Sequence, residues 1–542
     1  MNAATRIPQD NPQTGRQARP AAAPTRLSFP EVLDDLVARR PDAEAVVGPE
    51  GRVTYSELGA RTQRLAFFLR RAGLQPGERI GILLPNGLRW IVAALAAHRA
   101  GLTVVPLNTW YRAPELEHVL RGARVRLVVT DAAVFGRDTL GELATAGLPQ
   151  RYPGVGDYLG ALVWPAADEL PAAAVHADPV ALPTPMSQDL ALVLFTSGST
   201  ARPKPVPLEH GKLLRNGHEI GRRQHLVEGD RLWIAAPFFF GYGCANALPV
   251  ALTHGVTLCL QERVDGDRSL AFLARERCTV YYGLGATTRI LLAAPSFGRH
   301  DISALRTGTT GFTPEDKRLV IEELGVSEVC SMYGLTEGYG HSTVSDAHDS
   351  LDVRLHTSGR VLPTQEIRVT DEDGVSLPAG RTGEVELRGC VIDRYLEDPD
   401  LDTGVFRPGG WFRTGDLGFL DAGDRLHVVG RRKEMLKVKG INIAPLEVEE
   451  LLAAHPDVDQ AYVVGIPDPE GDELMAAVVV PRPGRHVGAD FAQELTGHLK
   501  ARAAGYKVPS RIEVFQQHEL PFTDTGKVSK RALRAVLGGG AA

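Results

Sequence analysis

The sequence lacks a basic excess: 60 Lys and Arg stand against 66 Asp and Glu in 542 residues, a formal net charge of -6. Gripping nucleic acid at physiological salt takes a basic stripe that neutralises several phosphates, and nothing along the chain supplies one. Paired cysteines are also missing. Cys244, Cys259, Cys278, Cys330 and Cys390 stand singly, with no CxxC and no histidine spacing of a zinc site. They read as buried thiols of a reducing compartment. The longest apolar run, 90–97, is closed by Arg89 and His98, far below the ~20 residues of a membrane span. Residues 1–26 carry scattered Arg and Pro without an apolar core segment, which reads as a disordered tail and not as a signal peptide. No GxxxxGK[ST] and no internal repeat occur, which disfavours a P-loop NTPase. What is left is the expectation of a cytoplasmic protein with small-molecule substrates, no nucleic-acid partner and no membrane partner, built from roughly two to four domains.

What is present is ordinary for an enzyme, 43% hydrophobic and 23% charged residues, arranged in a definite order. Apolar strands at 79–84, 102–106 and 126–130 alternate with helices at 30–39, 93–97 and 113–121, and strands near 231–236, 256–260 and 279–283 resume the cycle. Strands apolar on every position, separated by helices, predict an α/β fold of parallel, doubly wound sheet covered on both faces. Residues 163–185, rich in Ala and Pro, read as a surface connection. From about residue 364 the texture changes to alternating strands, 366–370, 383–388 and 425–429, which predicts an antiparallel sheet or small barrel with one wet face. After the charged run Gly430-Arg-Arg-Lys-Glu434 comes a helix-strand-strand-helix unit, 447–454, 460–466, 474–480 and 491–503. The expected division is a tail at 1–26, a large domain at 27–429, a hinge at 430–433 and a small mobile α+β domain at 434–542.

Five segments carry chemistry. The first, Phe195-Thr-Ser-Gly-Ser-Thr-Ala-Arg-Pro-Lys204, follows an apolar strand with hydroxyls on Thr196, Ser197, Ser199 and Thr200, a close-approach glycine at Gly198 and a cation at Lys204, donors that phosphate oxygens need. A polar turn would use the same residues. In Tyr333-Gly-Leu-Thr-Glu337 an aromatic ring can stack on a purine, a hydroxyl can meet a phosphate oxygen and a carboxylate can hold Mg²⁺. The Asp416 carboxylate of Trp411-Phe-Arg-Thr-Gly-Asp-Leu-Gly418 can accept two ribose hydroxyls, though Thr-Gly-Asp is also a common reversal. Two basic segments follow, Gly430-Arg-Arg-Lys-Glu-Met-Leu-Lys-Val-Lys-Gly440 and Leu520-Pro-Phe-Thr-Asp-Thr-Gly-Lys-Val-Ser-Lys530.

In this order and at these separations the five segments resemble the signature motifs of the adenylate-forming superfamily: acyl- and aryl-CoA ligases, nonribosomal peptide adenylation domains and beetle luciferases. The resemblance covers residues 29–537. It implies ATP or AMP, Mg²⁺ and coenzyme A, with a carboxylic acid as the other substrate. It further implies a phosphate loop at 196–204, Tyr333 on adenine, Thr336 at the α-phosphate, Glu337 at Mg²⁺, and Asp416 with Arg431 on the ribose. Lys527 would bridge carboxylate and α-phosphate oxygens during adenylation. Lys433 would be the hinge of domain rotation, and Lys437, Lys439 and Gly440 would then line the pantetheine tunnel.

The chain departs from the family pattern at two places. Two glycines of the usual phosphate loop are Ala201 and Pro205. Alanine resists φ > 0 at roughly 1–2 kcal/mol, and proline removes an N–H donor. This keeps open a relative that only thioesterifies acyl-AMP supplied by a separate adenylating enzyme. The second is Pro237-Phe-Phe-Phe-Gly-Tyr-Gly243, where Phe240 stands in place of a gating His and no Asp is present to pair with an α-ammonium. With Phe238, Phe239, Phe240 and Gly241 on one wall and Gly283, Gly285 and Gly311 opposite, the expected substrate is a bulky apolar acid, aromatic or polycyclic, of the kind used in natural-product biosynthesis. The same residues also suit a core beneath the pocket. A non-catalytic AMP sensor is a further alternative, against which Lys433 and Lys527 speak. A homodimer is compatible with the sequence, and a carrier-protein thiol in place of coenzyme A stays open.

Overall fold

The computed structural model describes residues 27–146, 151–152, 156–157, 160–163, 181–196, 203–311, 313–397, 399–438, 441–467, 473–485, 487–488, 490–522 and 528–538. Two largely parallel sheets dominate. The first runs Glu328–Cys330, Thr307–Thr309, Val280–Tyr282, Arg231–Ile234, Thr257–Leu260, Glu44–Gly48 and Gly51–Thr54, all parallel except the terminal hairpin. The second runs Gly160–Val163, Val125–Thr130, Arg79–Leu83, Thr103–Pro106, Leu190–Thr196 and Lys204–Glu209, again with one antiparallel pair at its end.

The helix Leu88–Arg99 is buried on almost every side, Trp90 and His98 included. A helix apolar all round belongs between layers. Its side chains join Ile80, Val104 and Leu192 of one sheet and Val46, Leu232 and Leu258 of the other in a single core. The outer face of each sheet has its own smaller core, around Trp233 and Tyr281 on one and Val105 and Val128 on the other. Both sheets are thus covered on two sides, as the unbroken apolar strands predict.

The alternating strands after residue 364 form an antiparallel sheet, Gln365–Thr370, Gly383–Gly389, Trp411–Leu420 and Phe406–Arg407, with Leu426–Arg431 also on Trp411–Leu420. Its hydrogen-bonded path is open, and the bridge Arg360–Arg425 ties it to the three-stranded sheet of Met332–Leu335, Gly340–Val344 and Arg360–Val361. In the C-terminal unit the hairpin Val458–Pro467 and Glu473–Pro481 has Arg511–Val514 parallel to its second strand. Alternation sorts its residues: Met475, Ala477 and Val479 pack toward the helices Pro445–Ala453 and Phe491–Lys500, and Ala476, Val478 and Val480 toward Lys530–Leu537. Among the described residues no helix is long and apolar enough to cross a membrane.

The two parts meet through ions. Arg289 Nε lies 2.9 Å from Asp459 Oδ1 and its NH1 2.7 Å from Asp316 Oδ1, and Arg482 pairs with Glu315 at 2.6 Å. Beside them Lys317 is buried, its ammonium donating to the carbonyls of Leu355 at 2.9 Å and Thr357 at 3.1 Å. Burial pulls its pKa down to about 8. Between about pH 8 and the ordinary lysine value near 10.4 the folded form has released a proton that the unfolded chain keeps, so stability rises with pH across that window. Lys317→Met is expected to abolish a rise of on the order of 3 kcal/mol, read from unfolding midpoints of both proteins at pH 7.5 and 10.

Candidate active site

The candidate phosphate loop connects antiparallel neighbours: Thr196 pairs with Lys204 and Phe195 with Pro205. Ser197, Gly198, Ser199, Thr200 and Ala201 lie outside the described residues. Pro205 sits on the outermost strand of its sheet, and its carbonyl accepts from the Leu396 N–H at 3.1 Å, on the side away from Leu190–Thr196. In an extended strand a residue's N–H points the same way as its C=O, so the missing donor costs no ladder bond. Lys204 Nζ stands 5.1 Å from the centre of the Tyr395 ring, and the Tyr395 hydroxyl donates to Glu337 Oε1 at 2.9 Å. The loop lysine and the candidate metal carboxylate are therefore joined through one tyrosine.

Glu337 and Thr336 occupy a short 3₁₀ turn, Thr336–Gly338, between the strands Met332–Leu335 and Gly340–Val344. Gly334 has to be glycine there, since a Cβ would lie 1.8 Å from the Gly340 carbonyl oxygen. The turn leaves through Tyr339 at φ 60°, a left-handed conformation uncommon without glycine. Tyr333, four residues before Glu337, buries its ring with Val385 and Leu426 and donates its hydroxyl to Asp416 Oδ2 at 2.7 Å. Arg431 Nε lies 3.2 Å from Asp416 Oδ1, because residues 416 and 431 are register partners on adjacent strands. Burial raises the Asp416 pKa, and Arg431 and the Tyr333 hydroxyl oppose the rise. Tyr333, Asp416 and Arg431, from three separate sequence segments, thus form one cluster.

The aromatic segment divides. The Phe238 ring is buried in the core against Trp90, with a centroid separation of 4.9 Å, and its backbone N–H donates to Asn86. Phe239 and Phe240 pack edge-on to each other at 4.5 Å and against the half-exposed Trp110 at 5.3 and 5.8 Å. Gly241 then opens a π-helical turn, Tyr242–Ala247, and a Cβ on it would meet Thr336 Oγ1 at 3.7 Å. Single π turns are frequent at functional sites. This one stacks Tyr242 on Tyr282 at 5.2 Å and points its hydroxyl to Thr309. The three opposing glycines have packing reasons: a Cβ on Gly283 would strike the Tyr281 ring, and one on Gly285 or Gly311 the Asp316 carboxylate. Asn246 Oδ1 and His341 Nε2 are buried without a partner among the described residues, and burial pulls His341 down to about 3, which keeps its ring neutral.

Lys433 is exposed on the turn Arg432–Glu434, directly after the strand Leu426–Arg431 ends. Lys437 belongs to the strand Leu436–Val438, while Lys439, Gly440 and Lys527 lie outside the described residues. The flanks of Lys527 are pinned by the bridge Phe522–Val528, the Ser529 N–H to Pro521 carbonyl bond at 2.8 Å and Lys530 on Glu449 at 2.7 Å. The sequence gives no sign of Tyr395 or Trp110 as site residues. Each comes from a segment without a motif, and only the chain's return brings it there.

A buried carboxylate between a tyrosine and an arginine, next to a carboxylate, a threonine hydroxyl and a lysine at the end of a strand hairpin, is the equipment of a nucleotide-using α/β enzyme. The chain belongs to the AMP-binding enzyme family, which matches residues 33–396, with the AMP-binding enzyme C-terminal domain matching 447–527. It is 34% identical over 504 residues to a feruloyl-CoA synthase from Amycolatopsis sp, covering 92% of this chain and 96% of that protein. It is 33% identical over 518 residues, 94% of this chain and 98% of the relative, to the 3-[(3aS,4S,7aS)-7a-methyl-1,5-dioxo-octahydro-1H-inden-4-yl]propanoyl:CoA ligase of Mycobacterium tuberculosis. Among solved structures it resembles the anthranilate CoA ligase AuaEII in complex with anthranoyl-AMP, with a TM-score of 0.84 and 25% identity over 95% of this chain and 98% of that one.

Proposed function

We infer that this chain is an AMP-forming acyl-CoA ligase that joins a bulky apolar carboxylic acid to the thiol of coenzyme A through an acyl-adenylate. The observation that carries this reading is the Tyr333–Asp416–Arg431 cluster, whose Tyr333 stands four residues before the Glu337 carboxylate held by Tyr395. A carboxylate is a poor electrophile. It attacks the α-phosphate of ATP, pyrophosphate departs, and the acyl-AMP carbonyl is then open to the thiol, with AMP as leaving group. Asp416, flanked by Arg431, holds the ribose, Thr336 meets the α-phosphate, and Lys204 approaches the phosphates from the loop. The Glu337 oxygen not taken by Tyr395 is a hard donor that suits Mg²⁺, which would neutralise phosphate charge. Lys433 is the hinge that brings Lys527 to the adenylation step and the segment 437–440 to the thiol step.

The acid is proposed to be aromatic or polycyclic. Phe239, Phe240 and Trp110 offer a broad apolar wall, and the two relatives named above act, by their names, on a feruloyl and on a fused-ring propanoyl group. Pro205 removes no ladder bond, so the strand hairpin that carries Lys204 is kept intact. The paired assay is pyrophosphate release with ATP over a panel of aromatic, polycyclic and short-chain acids, alongside acyl-CoA formation from synthetic acyl-AMP. Release and thioester formation are both expected with bulky apolar acids. Thioester from acyl-AMP with no pyrophosphate from any acid would instead make the protein a thioesterifying relative, and AMP binding with neither product would make it a sensor.

A further inference from the structure

Away from the nucleotide residues, one surface cluster gathers metal-binding donors from three separate segments. His225 follows the helix His210–Arg223, Asp346 and His348 lie just after the strand Gly340–Val344, and Glu328 begins the strand Glu328–Cys330. We propose that His225, Asp346 and His348, with Glu328 beside them, bind a divalent transition-metal ion of the zinc class. One donor atom from each of the first three lies within 4.8 Å of the others. His225 Nε2 is 2.8 Å from Asp346 Oδ1, the two imidazoles stack with centroids 4.0 Å apart and planes 24° from parallel, and His348 Nε2 is 3.9 Å from Glu328 Oε1. Donors on a tetrahedral ion with bonds of about 2.0–2.1 Å stand roughly 3.3 Å apart. The stacked rings aim their in-plane lone pairs side by side, so ligation requires the exposed His225 and His348 rings to turn out of the stack onto a common ion.

The cluster is held in place by contacts outside it. Asp346 Oδ1 accepts the His348 backbone N–H at 3.0 Å, which aims the carboxylate, and the Ala347 N–H donates to the Arg223 carbonyl at 2.8 Å, which ties the turn to the helix end. Arg306 donates to the His225 carbonyl at 3.1 Å and lies 3.4 Å from Glu328 Oε2, leaving Oε1 for the ion. His225 itself takes φ 51°, a left-handed position at a helix end where glycine or asparagine is usual. Imidazole nitrogens with carboxylate oxygens suit Zn²⁺, Ni²⁺ or Cu²⁺, whereas Mg²⁺ and Ca²⁺ want oxygen alone. The bound ion would cross-link the helix that follows the Lys204 hairpin to the strand that follows the Glu337 turn, stabilising the fold by mass action.

The test uses the full chain after treatment with a chelator, titrated with Zn²⁺ by calorimetry and followed by thermal unfolding, with Co²⁺ absorption as a geometry probe. The expected result is saturable zinc binding with a raised unfolding midpoint, and loss of one zinc per chain and of that rise in His225→Ala/His348→Ala. Unfolding of the variant in chelator reports whether it folds. If it does not, Asp346→Asn and His348→Gln are each expected to weaken zinc binding at least tenfold. Acyl-CoA formation should be unchanged in all of them, as none of these side chains belongs to the nucleotide or acid site. Absence of zinc binding, or the same stoichiometry and midpoint shift in the variants, would overturn the proposal.

Discussion

Lys527→Ala is expected to lower pyrophosphate release by on the order of 100- to 1,000-fold, the usual cost of removing one donor aimed at charge that develops in a transition state. Thioester formation from synthetic acyl-AMP should stay within a few-fold of the parent, because that step has no carboxylate attack on the α-phosphate for the ammonium to bridge. The asymmetry is the informative part. The described flanks of residue 527 are anchored to the C-terminal unit by the Phe522–Val528 bridge and by the helix Lys530–Leu537, whose Leu533 and Leu537 are buried against the sheet. Removing a side chain between pinned ends is therefore expected to leave the unit folded. Equal losses in the two assays would mean that Lys527 serves binding or folding and has no special part in adenylation.

The second large effect is expected at Asp416. The two charge-assisted hydrogen bonds proposed between Asp416 and the ribose hydroxyls, each worth about 1.5–3 kcal/mol, predict that Asp416→Ala weakens AMP binding by on the order of 100-fold or more, measured by calorimetry. The same exchange leaves the buried Tyr333 hydroxyl without its acceptor and Arg431 without its carboxylate partner. A lower unfolding midpoint is expected with it. Asp416→Asn separates the two effects: its amide oxygen still accepts from Tyr333, so stability should largely return while affinity stays low. Parent-like AMP affinity in both variants would remove Asp416 from the ribose site.

Much of the architecture was legible in the chain. Strands such as 79–84 and 126–130, without a polar side chain over 80–84 and 127–129, can be satisfied only with both faces covered, and the structure covers them. The alternating strands after residue 364 form the expected antiparallel sheet, with an open path in place of a closed barrel. The motif residues Tyr333, Asp416 and Arg431 were legible as separate candidates; strand register pairs Asp416 with Arg431, and Tyr333 reaches Asp416 from a different sheet. Phe238 shows the opposite case. Its place in an aromatic run puts it with the pocket residues, yet tertiary packing turns its ring to Trp90 in the core.

The sequence by itself determined the layered α/β plan, the five motifs and the class of chemistry, because hydrophobic periodicity and residue type are local properties that survive without coordinates. Tertiary structure alone decided which side chains meet. It put Tyr395 between Lys204 and Glu337, set Trp110 against Phe239 and Phe240, and placed Pro205 with its missing N–H turned outward on an edge strand. It also made packing necessities of Gly283, Gly285 and Gly311 and drew His225 to Asp346 across 121 residues. Each of these is a contact between segments distant in sequence. Their partners are set by how the sheets and turns pack, which no local pattern encodes.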